Sequence, residues 1–382
     1  MATANDRIFY ACQGVAIQSH GKNANVATGE MVHGLQSVGI TTNFNLEQAF
    51  ELGQIEIYEN IEGTPDVEVT MEKVLDGYPL IYHMASTGVS GSSASGLAAR
   101  SKSRCDVRLG IFPEESNFIN SDSAADGAPA EVYCSGMYIS SVSYTINGEG
   151  SSTESVTLVG NNKKWFDNAN GKMQKASVAN FDGNDEPLGF GLATAPSGGI
   201  TQREDVMLSG CILPVSIEGV NGSGYGNGNN TRVHLQSISV STDFSREDIL
   251  ELGRKTPYAR PASFPIEVSC EIEAITTSGD FVAANEDGDY GLYASTASGN
   301  NTPNESIYIY TRNGMALDLG NKNRLASVSY GGGDAGGGNA TCTYSYTNFN
   351  DLDVQARQNG YIGFDFLSNG NGRDGNNHGF PL

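Results

Sequence analysis

A mainly β fold made of two related modules is what this sequence predicts, on three grounds: turn-rich composition, apolar–polar alternation, and a repeat displaced by about 200 residues. The chain has 382 residues, 48 of them glycine, with many Ser, Thr and Asn, a composition that suits short strands joined by tight turns. Its length accommodates two or three cores, each large enough to fold without staples.

The repeat is the strongest of the three. LQSVGITTNFNLEQAFELG, from Leu35 to Gly53, and LQSISVSTDFSREDILELG, from Leu235 to Gly253, share nine of nineteen residues at an offset of 200. VEVTMEKV from Val67 then faces IEVSCEIE from Ile266 at an offset of 199, and the segments from Ser141 and Ser327 match at 186. Cys12, Val15 and Ile17 extend the match backwards to Cys211, Val215 and Ile217. Order is preserved throughout, as gene duplication requires.

In each copy a strand comes first. In LQSISVST, Ser237, Ser239 and Ser241 alternate with Ile238 and Val240, the period of a half-buried strand. A short helix is expected next, with Asn45 and Ser245 as N-caps, Gln48 and Asp248 as capping-box partners, and Gly53 and Gly253 as terminators. Phe50, Leu52 and their counterparts would pack it. A second strand follows, with Val67, Val69 and Met71 on its core face and Glu68, Thr70 and Glu72 on the other. Its second-copy version alternates Ile266, Val268, Cys270 and Ile272 with Glu267, Ser269, Glu271 and Glu273. Ser141–Tyr144 and Val156–Leu158 form a hairpin, mirrored by Ser327–Tyr330 and Thr341–Tyr344.

These matches set the boundaries: a first module over 1–165, a linker or arm over 166–205, a second module over 206–350, and a C-terminal extension over 351–382. Ser86–Ser103 reads as an inserted loop and is the one locally basic stretch. Cys270 aligns with Met71 and Cys342 with Val156, so cysteine occupies small apolar sites and a disulfide framework is not expected.

Charge and motifs narrow the function. The net charge of −22 divides evenly, with 11 basic and 23 acidic residues over 1–200 and 11 and 21 over 201–382. Such a field repels phosphate backbones and anionic membrane surfaces. No apolar run nears the roughly 20 residues that span a bilayer, and the start of the chain lacks a signal-peptide pattern, so a soluble protein made in a cytoplasm is expected. Zinc spacings, nucleophile elbows and phosphate-binding loops are missing. Asp287 and Asp289 suit a hairpin turn better than a calcium loop. A sugar cleft needs aromatic platforms, whereas the one tryptophan, Trp165, lies at the linker. No catalytic, cofactor or metal site is expected, and the protein reads as a non-enzyme.

The succession TTNFNLEQAFELGQIEIYENIEGTPDVEVTMEKVLDGYPLIYH, then SSVSYTINGEGSSTESVTLVGNNKKW, resembles the tail tube proteins of tailed bacteriophages. The likeness covers roughly residues 6–165 and, more weakly, 205–350. It implies two tandem β-sandwich tube modules, each with one short helix, in a virion protein assembled in the host cytoplasm. It also implies stacked rings of six tube domains through which DNA passes without specific binding, and therefore a homotrimer with pseudo-sixfold symmetry, or alternatively a homohexamer. Tape-measure, tail terminator and distal tail proteins are the implied partners. Glu68, Glu72, Glu267, Glu271 and Glu273 become candidates for the lumen lining, because carboxylates there remove the counterion-release gain that basic residues would give DNA. The second copy departs from the pattern at Arg254–Ala262, RKTPYARPA, where the first has QIEIYENIE. Another β-rich virion or surface protein, such as an adhesin, receptor-binding tip or capsid decoration, is the alternative.

Overall fold

A computed structural model describes residues 8, 10–20, 30–53, 55–76, 78–86, 96–111, 130–167, 200–203, 206–209, 234–275, 306–311, 315–333 and 338–356. Its strands in chain order are β1 (Gln13–Ser19), β2 (Glu30–Met31), β3 (Leu35–Asn43), β4 (Leu46–Phe50), β5 (Ile57–Glu62), β6 (Asp66–Val74), β7 (Cys105–Ile111), β8 (Ala130–Asn147) and β9 (Thr153–Gly160). There follow β10 (Asn162–Asp167), β11 (Val206–Ser209), β12 (His234–Asp243), β13 (Glu267–Ile275), β14 (Tyr308–Thr311), β15 (Met315–Asp318), β16 (Arg324–Gly331), β17 (Thr341–Phe349) and β18 (Asp353–Ala356). The α-helices among the described residues are α1 (Ile81–Ser86) and α2 (Leu97–Arg100).

The architecture is mainly β and antiparallel. Twelve strands join in one network, and eight of them run side by side in the order β3-β6-β9-β8-β12-β13-β17-β16. The first four and the last four share a plan. β3 and β12 carry a bulge at the same place, between Leu35 and Ser37 and between Leu235 and Ser237. β8 and β16 do likewise, between Ile139 and Ser141 and between Leu325 and Ser327. The two blocks meet where Ser141–Asn147 of β8 pairs with Ser237–Asp243 of β12.

β8 is the spine. Its first residues lie between β7 and β10, and its later ones between β9 and β12. Gly136, with φ +68°, and the bulge before Ser141 lie where β8 passes from one pair of neighbours to the other. One face of the eight strands is core: Val69, Met71, Val156, Val240, Cys270 and Tyr344 are all buried. α1 rests against β1, β7, β8 and β9 and buries Ile81, Tyr82, Met84 and Ala85. A further sheet, β11-β14-β15-β18, adds Ile309, Leu317 and Val354 to the same core.

Three expectations need correction. The helix expected at 45–53 is a β-hairpin, β4 paired with β5, and its counterpart closes through bridges Arg246–Ala262 and Ile249–Ala259. An N-cap residue has extended backbone, whereas Asn45 and Ser245 sit at φ +46° and +42°. Each amide instead bonds back to the side chain two residues earlier, Asn45 N–H to Asn43 Oδ1 at 3.1 Å and Ser245 N–H to Asp243 Oδ1 at 2.7 Å. These are Asx turns, and Gly53 and Gly253, at φ +97° and +85°, lie in the hairpin turns. Phe50, Leu52, Leu250 and Leu252 consequently stand exposed rather than packed. A short helix does follow the carboxylate strand of the first block, as α1.

Registers also revise the alignment. Val38 opposes Met71 and Ile238 opposes Ile272, so Met71 corresponds to Ile272 at an offset of 201, not 199. Cys270 then corresponds to Val69, and Cys342 to Glu154 rather than to Val156. The five described cysteines are buried free thiols. The expected linker begins inside β10, whose last residue is Asp167, and residues 353–356 of the expected extension pair with β15. Asp287, Asp289, Cys211, Val215 and Ile217 lie outside the described residues.

Candidate functional site

Opposite the core, the eight strands present a polar face. Cross-strand pairing sets Ser37, Glu72, Ser155, Ser143, Ser241, Ser269 and Thr347 in one row. A second row runs from Thr145 through Ser239 and Glu271 to Ser345 and Ser327. Glu68, Glu72, Glu267, Glu271 and Glu273 all fall on this face, because strand side chains alternate and every register preserves the alternation. Ser237 Oγ donates to Glu273 Oε2 at 3.1 Å. Asp243 joins the carboxylates, and Arg324, at the outer end of β16, is the basic residue that register places among them. The surface is therefore hydroxyl-rich and strongly acidic.

Two edges bound it. Among the described residues β3 pairs with β6 alone and β16 with β17 alone. Both edges expose residues whose counterparts are buried where the blocks meet: Phe44 is 62% exposed against 1% for Phe244, and Tyr330 50% against 1% for Tyr144. Strand edges with free N–H and C=O groups are templates for pairing.

The junction between the blocks shows what such an edge accepts. Phe244 N–H donates to Ser140 O at 2.8 Å, continuing the ladder beyond β12. Arg246 Nε donates to Ile139 O at 2.9 Å and its Nη1 to Ser101 O at 2.6 Å, with the guanidinium 5.1 Å over Tyr138 and 5.2 Å over Phe244. Burial lowers the Arg246 pKa to about 10, which leaves it charged at neutral pH. Arg260 binds Asp248, Nε to Oδ1 at 2.6 Å, and reaches Asp66 of the first block, while Thr64 Oγ1 donates to Lys255 O. The divergent segment Arg254–Ala262 thus adds an ionic clamp to the ladder and the Arg246 contacts that join the two blocks.

Sequence reasoning placed the carboxylates but missed Phe244, Arg246 and Arg260. The available signal was arginine at 246 and 260, where the first block has Leu46 and Asn60. Buried polar groups were also invisible: Glu154 accepts from the Ile81 and Tyr82 amides at 2.7 and 3.1 Å and from Tyr144 Oη at 3.1 Å. Burial raises its pKa against these hydrogen bonds. Lys73 Nζ, likewise buried, donates to Asp76 at 2.6 Å and to His33 O at 2.8 Å.

Among the described residues no group of His, Cys, Asp and Glu is arranged to hold a metal, and no helix is long and apolar enough to cross a membrane. No protein-family model and no curated protein matches the chain.

Proposed function

We propose that this chain is the structural subunit of a phage-type tail tube, in which two tandem tube modules per chain build stacked rings around a DNA channel. The modules are the blocks of the sheet extended to 1–165 and 206–350, products of an internal duplication and each completed as a β-sandwich. The observation that carries the reading is the junction: the last strand of one block pairs with the first strand of the next, and among the described residues the outermost strands leave one edge of each kind open. A heterologous contact of that sort, repeated with closure, makes a ring. Three chains then give a pseudo-sixfold ring, and a homohexamer is the alternative.

The polar face suits the lumen. Hydroxyls and the carboxylates Glu68, Glu72, Glu267, Glu271 and Glu273 outnumber Arg324, at the outer end of β16, and leave a moving polyanion little to release its counterions against, so DNA slides without being held. The role is structural rather than enzymatic and its setting is the virion tail. Partners at the ends of the tube would be the terminator and distal tail proteins, with a tape-measure protein inside during assembly. Negative-stain electron microscopy of the purified protein tests the reading: hollow filaments whose rings contain three chains are expected, and monomers under every assembly condition would overturn it.

A further inference from the structure

We infer that a second copy of this chain docks its β3 edge on β16 in one defined register, and that this chain-to-chain joint is apolar where the joint within the chain is ionic. The inference takes ring closure from the tube reading; the joint itself stands on the internal junction.

The register follows from the shared bulges. Equating Ser141 with Ser327 and Ser237 with Ser37 carries the β8–β12 pairing onto the open edges. Asp243 opposite Ser141 becomes Asn43 of the incoming copy opposite Ser327, and Val240 opposite Tyr144 becomes Ile40 opposite Tyr330. Thr41 meets Ser329 on the polar face, so the hydroxyl and carboxylate rows continue from chain to chain. Phe44 takes the place of Phe244, and its amide meets Ala326 O as that of Phe244 meets Ser140 O.

What differs is the clamp. Leu46 stands where Arg246 does, Asn60 where Arg260 does and Gln48 where Asp248 does, so the cluster that ties Arg260 to Asp248 and Asp66 loses its charges on the incoming side. On the receiving side Glu267 replaces Asp66, and Arg324 stands where Tyr138 does. Leu46, Phe44 and Tyr330, all at least half exposed in the single chain, are covered together.

The test is disulfide trapping in the full-length protein. Asn43→Cys with Ser327→Cys places two thiols opposite each other across the inferred joint, and Asn43→Cys with Ser329→Cys shifts one of them by two residues. Both pairs sit at exposed strand-edge positions, and unchanged thermal unfolding of each variant verifies the fold. After assembly and mild oxidation, the first pair is expected to yield covalent trimers on a non-reducing gel and the second to remain monomeric, with filaments at 1 M NaCl at least as abundant as at low salt. Filaments in the same sample without trapping by the first pair, or with trapping by the shifted pair, would overturn the register and leave the tube reading standing. Filaments that dissolve in high salt would overturn the apolar joint. Neither filaments nor trapping would sink both.

Discussion

Phe44 and Phe244 occupy equivalent places in the two blocks, and truncating each to alanine separates the inner joint from the open edge. Phe244 is 1% exposed. Its loss removes a fully buried ring and leaves a cavity between β8 and β12, at a cost of about 3–5 kcal/mol. Phe44, 62% exposed, has little buried surface to lose in the single chain, so Phe44→Ala costs about 1 kcal/mol or less. Urea unfolding of the monomer, in reducing buffer and below the assembly concentration, measures both. Assembly reverses the ranking of the second variant. If Phe44 enters on a neighbouring chain the site that Phe244 fills within its own, Phe44→Ala raises the critical concentration for filament formation by about 10²-fold or more, since each 1.4 kcal/mol is a factor of ten. Equal destabilisation of the monomer by both truncations would refute the reasoning, as would an unchanged critical concentration for Phe44→Ala.

Two further predictions concern buried titratable groups. His83, whose Nε2 bonds Val354 O at 2.7 Å and so joins α1 to β18, has its pKa lowered to about 4 by burial. Its folded pKa lies below the unfolded value near 6.5, so its stabilisation is present above pH 6.5 and is lost as pH falls towards 4, by about 3 kcal/mol in all. His83→Gln should flatten the urea midpoint over that range; an unchanged acid limb would count against the assignment. Glu154 has the opposite sign, because burial raises its pKa: its contribution is complete below the ordinary carboxylate range and declines as pH rises through the folded pKa. The stability gap between wild type and Glu154→Gln should therefore narrow from pH 4 to pH 8. Glu154→Ala, which strands two α1 amides and the Tyr144 hydroxyl, should cost about 3–5 kcal/mol at pH 4 and less as pH rises, read by thermal unfolding.

The faces of the strands were legible because alternation survives errors of alignment. An offset of 199 in place of 201 displaces Val67 by two residues along β13, and a shift of two keeps every side chain on its own face. The carboxylates were accordingly assigned to the correct side from sequence alone. The hairpin was not legible, since Asn45 followed by Gln48 satisfies the pattern of a capping box while Asn43 with Asn45 satisfies an Asx turn, and only backbone sign separates them. A better signal lay in IEIYENIE, where Ile55, Ile57 and Ile61 recur at even spacing with a glycine turn before them. The open edges were beyond reach for a different reason: whether a strand is paired on one side or two depends on chain-distant partners such as β8 and β12, whose paired residues lie 90 to 102 positions apart.

The contrast between the two joints bears on how such a chain stays free before it assembles. A net charge of −22 sets neighbouring copies apart at long range, while the open β3 edge offers Phe44 and Leu46 at contact range. The inner joint faces no such competition, because the covalent connection holds both blocks at high effective concentration whatever the bulk concentration is. Charged contacts are affordable there: Arg260 supplies ion pairs and Arg246 hydrogen bonds to backbone carbonyls, both with fixed geometry. Between chains the same arginines would lose, on every free subunit, the acceptors that Ile139, Ser101 and Asp66 provide across the inner joint, next to an exposed aromatic edge. Replacing them by Leu46 and Asn60 lets the outer joint gain from burial, so that association is governed by concentration and closure of the ring, and salt, which screens the repulsion between copies, does not weaken it.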